Sequence, residues 1–350
     1  MREIIRKEWS ELPSIWHQLF DENPIATPFQ SYEYLTFTGI GKPIRNDWFR
    51  TVGLQELNLV LYSDQRPIAI APMLYKTKDG KATVYFRGHF TAASHLDLVY
   101  ASLRYDDFAY FMDDIRERLG NVAFFLDRVY GESPTSEYLK KYLSSADIQE
   151  HECYSIPVLG TYDDWYCGLS KSRRSNLRLC KNRIASDRVP CSVSFFVGEK
   201  IDKATHKKMM SVYADRFLVK NDYFFGLSNP ITIKALQIYL LHDKLTQWLN
   251  NAENNFHVVV YMNHKVAAFA SGLIGKDNRM LGCRLAISTK YKRYSPGAVL
   301  ISAAIEYLAE QKAAGKLDVD GFDMGQGGHD GMVYKQKYGG EVYYNYTFIE

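Results

Sequence analysis

The chain has 350 residues, 46% of them hydrophobic and 24% charged, with a formal net charge of +3. That is the composition of an ordinary globular protein, long enough for two cores of about 100–200 residues each, and no window approaches the ~20 apolar residues of a bilayer-spanning helix. So small a charge excess argues against a dedicated nucleic-acid binder, whose domains concentrate basic charge on one face.

Met1 to Trp9 lacks the apolar core of a secretory signal, which gives the expectation of a cytoplasmic protein. Glu8–Phe20 carries Trp9, Leu12, Trp16 and Leu19 at helical spacing, and Ser31–Thr38 forms a second short helix after Pro28, Phe29 and Gln30. The period then changes to two. Leu57–Tyr62, Pro67–Tyr75 and Ala82–Phe86 are β-branched and aromatic runs separated by polar turns, the signature of a β-meander, and His95–Tyr100 is expected to continue the sheet. Asp106–Leu119 is a helix with Phe108, Phe111, Met112 and Ile115 inward and Gly120 at its stop. A strand at Val122–Leu126, a helix near Ser136–Leu143 and a strand near Ile148–Val158 close this half. In the second half follow a basic helix at Leu169–Ser186, a strand at Ser192–Phe196, and helices near Lys203–Phe217 and Ile231–Asn250. Next come a strand at Arg284–Ser288, a helix at Pro296–Gly315 and strands at Leu317–Phe322 and Val342–Phe348. Five cysteines, Cys153, Cys167, Cys180, Cys191 and Cys283, are odd in number and show neither CxxC nor CxxH spacing, against both a disulfide framework and a zinc site.

Val60–Leu74 aligns without a gap on Val259–Leu273. Tyr62 meets Tyr261, Asp64 meets Asn263, Arg66 meets Lys265, and Ala69 and Ala71 meet Ala268 and Ala270. In each copy a strand, a polar turn ending in a base and a small-residue strand precede a further strand and a helix, so the chain reads as two copies of one α+β unit. The boundaries are expected at 1–158 and 159–350.

Four stretches carry chemistry. At Lys292–Ala298, Ser295 stands at an N-cap position, Pro296 at the first helical position, and Gly297 leaves backbone N–H groups bare. This helix start suits a pyrophosphate, with Lys292 and Arg293 adding full charges, and it also suits a merely well-capped helix. Asp323 and Gln326 sit with Gly325, Gly327 and Gly328 beyond a strand end, placed to orient a substrate or to make a tight turn. Lys335, after Tyr334, sits on a short helix from which its ammonium suits an oxyanion or a phosphate. Along Lys171–Ile184 the apolar stripe Leu177, Cys180 and Ile184 lies beside a ridge of Arg174, Arg178 and Lys181. That ridge suits the phosphates of a nucleotide, an anionic glycan or tRNA, or is a solvated basic face. In the first half, His95 and Asp97 alternate on a strand as a possible imidazole–carboxylate pair.

Together these motifs resemble a bacterial Fem-like member of the GNAT superfamily, of the type associated with cellulose or other polysaccharide biosynthesis. The resemblance rests on Pro28 to Gln30, the helix start from Leu169 to Arg178, Val266 to Ala268, Tyr294 to Gly297, Phe322 to Gly325, and Tyr334 with Lys335, and it spans nearly the whole chain. It implies an α+β fold of two tandem GNAT-like domains, each a mixed, mostly antiparallel sheet flanked by helices. It also implies acyl transfer from a thioester, acetyl-CoA or another acyl-CoA, to an amine or hydroxyl. The family's pyrophosphate cradle reads Gln/Arg-x-x-Gly-x-Gly/Ala. Here Ser295 replaces its first glycine, Gly297 matches the second, Ala298 follows, and Pro296 removes one N–H.

The expected function is therefore acyl transfer to a sugar, an amino acid or a cell-surface polysaccharide precursor, with no metal. Lys335, Asp97 and Tyr334 are the candidate catalytic residues, and Lys292, Arg293, Ser295, Gly297 and Ala298 the donor site. His95, Arg174, Arg178, Arg284, Asp323 and Gln326 are the candidate substrate contacts. On this reading Lys335→Ala lowers turnover far more than stability. The first copy's equivalent segment, Tyr100–Asp107, lacks glycine, which puts the donor site in the C-terminal domain and leaves the first domain degenerate. Two alternatives stay open: a Fem-type peptidyl transferase using aminoacyl-tRNA, and a non-catalytic member that binds a glycan or protein partner.

Overall fold

The computed structural model describes residues 1–39, 52–90, 93–225, 238, 244–326 and 332–350. Most of the helix expected near Ile231–Asn250, and Gly327 and Gly328, lie outside these. The chain folds into two compact units, one built from Met1–Cys153 with the terminal Val342–Glu350, the other from Tyr154–Gly325 and the stretch ending at Glu341; Gln326 groups with the first.

The first unit runs β1 (Arg2–Arg6), α1 (Pro13–Glu22), α2 (Tyr32–Phe37), β2 (Gln55–Ser63), β3 (Arg66–Lys78), β4 (Lys81–Phe86), β5 (Val99–Tyr100), α3 (Tyr105–Leu119), β6 (Val122–Tyr130), α4 (Pro134–Tyr142) and β7 (Asp147–Pro157). The second continues with α5 (Tyr162–Gly168), α6 (Lys171–Ser186), β8 (Cys191–Val197), α7 (Lys203–Phe225), α8 (Lys244–Leu249), β9 (Asn255–Met262), β10 (Lys265–Ile274), β11 (Arg279–Ile287), α9 (Pro296–Ala313), β12 (Gly321–Gln326) and α10 (Met332–Gln336). The terminal strand β13 (Glu341–Ile349) returns to the first unit. Strand order is β1-β2-β3-β4-β6-β13 in the first unit, with β5 on β3, and β12-β11-β10-β9-β8 in the second. Neighbours are antiparallel except β4–β6 and β11–β12, so each unit is a mixed, mostly antiparallel sheet flanked by helices.

Period-two alternation fills both faces of the sheet in the second unit. Val258, Val260 and Ala270 point to the core under α9, with Leu300, Ile301 and Ile305, while Val259, Phe269 and Ala286 pack on Met209 and Met210 of α7. In the first unit α3 buries Phe108, Phe111, Met112 and Ile115 and stops at Gly120, whose φ of 71° only glycine adopts cheaply.

The aligned segments fold as matching hairpins. Asp64 and Gln65 in one, Asn263 and His264 in the other, take positive φ at the turn, and each second strand carries a bulge at the aligned residues Ile68 and Ala267. Leu61 pairs with Ala69 as Val260 pairs with Ala268.

Three expectations are corrected. His95–Tyr100 is a strand only at Val99–Tyr100, because His95 turns left-handed at φ 59° and breaks the alternation that would put it on one strand face with Asp97. The strand expected at Leu317–Phe322 forms at Gly321–Gln326, so Asp323 and Gln326 lie within it and not beyond it. Leu169 caps α5, a helix carrying the buried Trp165 that periodicity did not signal, and α6 starts after Ser170, whose hydroxyl accepts from the Arg173 N–H.

A methyl group at Gly272 would lie 2.0 Å from the Leu281 carbonyl oxygen, a backbone atom that cannot swing away. Gly272→Ala is expected to cost about 3 kcal/mol, read as a fall in the denaturation midpoint.

Candidate functional site

The site of the second unit begins with an irregularity in β11. Ser271 pairs with Arg284 and Gly272 with Gly282, which leaves Cys283 as an extra residue on β11. Beside it, β11 pairs with β12 only from Arg279 to Leu281, so among the described residues the Leu285–Ile287 end has no β12 ladder. A bulge bends and twists its strand, and here it separates the two parallel strands and opens one edge.

Past that edge the chain makes a 3-10 turn, Thr289–Tyr294, and enters α9 through Ser295. Ser295 is left-handed (φ 48°) and its side chain makes no cap bond, a departure from the expected N-cap. Its carbonyl accepts from the Ala298 N–H at 2.8 Å, Pro296 has no N–H, and the Gly297 N–H remains open at the helix start. At 297 a Cβ would meet Ile287 Cδ1 at 2.5 Å, so a larger residue there would displace the tip of that side chain.

Edge and helix start line one cavity of about 560 Å³. Leu285, Ile287, Pro296 and Ile301 make an apolar wall, Lys292 and Ser295 stand at the α9 end, and Arg173, Asn176, Arg216, Tyr334 and Tyr338 complete the lining. The Arg173 guanidinium lies 4.4 Å from the Tyr338 ring centroid; burial pushes the Tyr338 phenol up and the Arg173 charge works against it. Three cations and a helix start thus share one apolar channel, within the size range of small-molecule sites.

Of the candidate residues, the fold brings Lys292, Ser295, Gly297, Ala298 and Tyr334 to this cavity. The others lie away from it. Arg293 pairs with Asp187 at 3.1 Å. Arg174 donates to the carbonyls of Cys167 and Leu169, and Arg178 is exposed on α6. Arg284 is buried on the α7 side of the sheet, 5.4 Å from the Tyr213 ring centroid. Lys335 is buried, its ammonium donating to the carbonyls of Met324 (2.7 Å) and Gly325 (2.8 Å), while Asp323 accepts from the Gly325 N–H at 2.5 Å. Side chains thus satisfy the end of β12 where the β11 ladder stops. Gln326 is partly buried at the end of β12 and groups with the first unit.

His95 and Asp97 also belong to the first unit. His95 Nε2 bonds the Tyr343 hydroxyl at 2.5 Å and its Nδ1 the Ser94 hydroxyl at 2.7 Å. Asp97 accepts from the Leu98 N–H (2.7 Å), the Tyr100 hydroxyl (3.1 Å) and the Ser133 hydroxyl, so the two side chains have different partners.

Burial raises the Asp97 carboxyl to about 6, against its hydrogen bonds, which lower it. The folded state therefore keeps a proton that the unfolded state loses near pH 4, and stability falls as pH rises from about 4 to 6, by about 3 kcal/mol. His257, held down to about 4 by burial and the charge of His206, has the opposite sign. Its unfolded state binds the proton first, so stability falls as pH drops from 6.5 to 4. Asp97→Asn is expected to unmask that second slope, measured as denaturation midpoints from pH 4 to 7.

Arg173, Asn176, Arg216 and Tyr338 were not among the sequence candidates. The one available signal was Ser170: with the N-cap there, Arg173 and Asn176 fall three apart on one face of α6. Nothing singles out Arg216 within the long α7. Among the described residues, no group of three or more His, Cys, Asp or Glu side chains could hold a metal ion, and no helix is long and apolar enough to cross a membrane.

Residues 171–336 match the family model described as the acetyltransferase (GNAT) domain. A crystal structure of FemX resembles the chain with a TM-score of 0.56 at 11% identity, covering 99% of this chain and 97% of that one. A conserved protein of unknown function from Bacteroides thetaiotaomicron VPI-5482 resembles it with a TM-score of 0.54 at 11% identity, covering 100% of both. A tandem GNAT protein from the clavulanic acid biosynthesis pathway has a TM-score of 0.49 at 10% identity, with 100% and 98% coverage. No curated protein matches the chain. At these identities the likeness is one of fold: residues 171–336 form a GNAT acetyltransferase-like domain within a chain that shares the FemX architecture.

Proposed function

We propose that the protein is an acyltransferase whose donor, an acyl-CoA, lies in the cavity of the second unit. The carrying observation is the junction of an open β11 edge with the α9 start, Lys292, Arg173 and Arg216 in one apolar channel. An extended arm with amide groups can pair with a strand edge. A pyrophosphate fits the Gly297 N–H and Lys292, although Ser295 and Pro296 leave this cradle with fewer N–H groups than the family pattern. The thioester supplies an activated acyl carbon, which an acceptor amine or hydroxyl attacks directly. Burial pushes the Cys283 thiol up to about 12, which makes it inert and argues against an acyl-enzyme on it. Tyr334 is one of two phenols that line the cavity, with Tyr338, and is available to give its proton to the leaving thiolate and to take one from the attacking amine or hydroxyl. Lys335 acts by holding the end of β12. The acceptor is an amine or hydroxyl of a sugar, an amino acid or a surface-polysaccharide precursor, a reading supported by the resemblance of the sequence motifs.

The three cations of the cavity also favour a second reading, in which the donor is an aminoacyl-tRNA. A thermal-shift screen with acetyl-CoA, longer acyl-CoAs and charged tRNA separates the two. A ligand at 100 times its Kd adds about 2.7 kcal/mol. Stabilisation by acyl-CoA supports the first reading; stabilisation by charged tRNA alone, lost steeply with salt, replaces it with the second.

A further inference from the structure

A second cavity of about 490 Å³ opens between α6 and α9 and shares only Ala298 with the donor cavity. It follows from side-chain size. The apolar stripe of α6, with Leu177 and Ile184, faces a stretch of α9 that offers Val299, Ser302 and Ala303 in place of long side chains, so the helices meet without filling the space between them. Ser302 shares a hydrogen bond of 2.7 Å with the Tyr162 hydroxyl, which keeps its polar group occupied. An open concavity with apolar walls exposes them to water at a cost that a hydrocarbon chain removes, and this volume lies in the range of small-molecule sites.

The rim is charged. Lys181 and Arg188 stand there with one carboxylate, Glu306, so the cations outnumber the acid by one. Arg188 occupies the turn that ends α6: its N–H donates to the Ala185 carbonyl, the next N–H to that of Ile184, and its φ is 52°. Glycine is the usual residue in this helix-ending turn, and an L side chain in it costs about 1 kcal/mol. A cation stands where glycine would be more stable, the pattern expected when local stability yields to a site. Its neighbour Asp187 does not neutralise it, being engaged by Arg293 at 3.1 Å and Tyr294 at 3.0 Å.

We infer that this cavity binds an anionic amphiphile, with a single alkyl chain against the α6 and α9 walls and a carboxylate or phosphate head at Lys181 and Arg188. The inference is independent of the acyl donor. Titration calorimetry on the full chain with dodecanoate, dodecyl phosphate and dodecyltrimethylammonium tests it, together with alkylation of the exposed rim thiol Cys191, followed by peptide mass spectrometry. Both anionic probes are expected to bind, the tighter one identifying the head group, and to slow Cys191 alkylation at least fivefold while that of the exposed Cys167 is unchanged. The cationic probe should not bind. The double variant Lys181→Glu, Arg188→Glu, both exposed and so compatible with folding, should weaken the anionic probes about twentyfold, and Ala303→Phe should abolish their binding. Equal binding of the cationic probe, no protection of Cys191, or affinity indifferent to the charge reversal would overturn the inference.

Discussion

Lys335→Ala is expected to cost about 3 kcal/mol of stability, a marked fall in the denaturation midpoint. Lys335 is 6% exposed and its ammonium donates to two carbonyls at the end of β12, where the β11 ladder has stopped. Hydrogen bonds to a charged group contribute about 1.5–3 kcal/mol each, and removing the donor leaves two carbonyls poorly satisfied. Activity should fall with it, because the same clamp fixes β12 beside Tyr334. The sequence alone led to the reverse expectation, a fall in turnover far larger than the loss of stability. That outcome would return Lys335 to the reaction itself.

The double variant Lys292→Ala, Arg216→Ala should keep its fold, since both side chains are exposed, yet bind acetyl-CoA about 100-fold more weakly. Each charge-assisted contact to a phosphate is worth roughly a factor of ten, and the two residues belong to different elements around one cavity. Arg293→Ala is the control. Its guanidinium is held by Asp187 and does not line the cavity, so affinity should change by less than about threefold. Equal losses from Arg293→Ala and from the double variant would mean that the anion lies outside the cavity.

The sequence showed the hairpins well because their information is local. Asp64–Gln65 and Asn263–His264 tolerate positive φ, and the flanking alternation sets the register, so the aligned segments fold alike down to the bulge. It also placed the start of α9, where Pro296 and Gly297 mark a helix end by themselves. What it missed depends on distant partners. The bulge at Cys283 exists only against β10, β12 starts four residues later than its apolar pattern suggested, and His95 leaves the strand period to reach Tyr343. Among the basic residues of α6, composition could not separate Arg173, which faces the cavity, from Arg174, which turns back to the end of α5. The helix start at Ser170 makes that choice.

Amide hydrogen exchange on the full chain, with and without saturating acetyl-CoA, tests the position of the donor site most directly. Protection concentrated at Leu285–Ala298 and Tyr334–Tyr338 is the predicted result. Protection confined to the first unit, or absent at the Gly297 amide while acetyl-CoA is bound, would contradict the placement of the donor at the β11 edge and the α9 start.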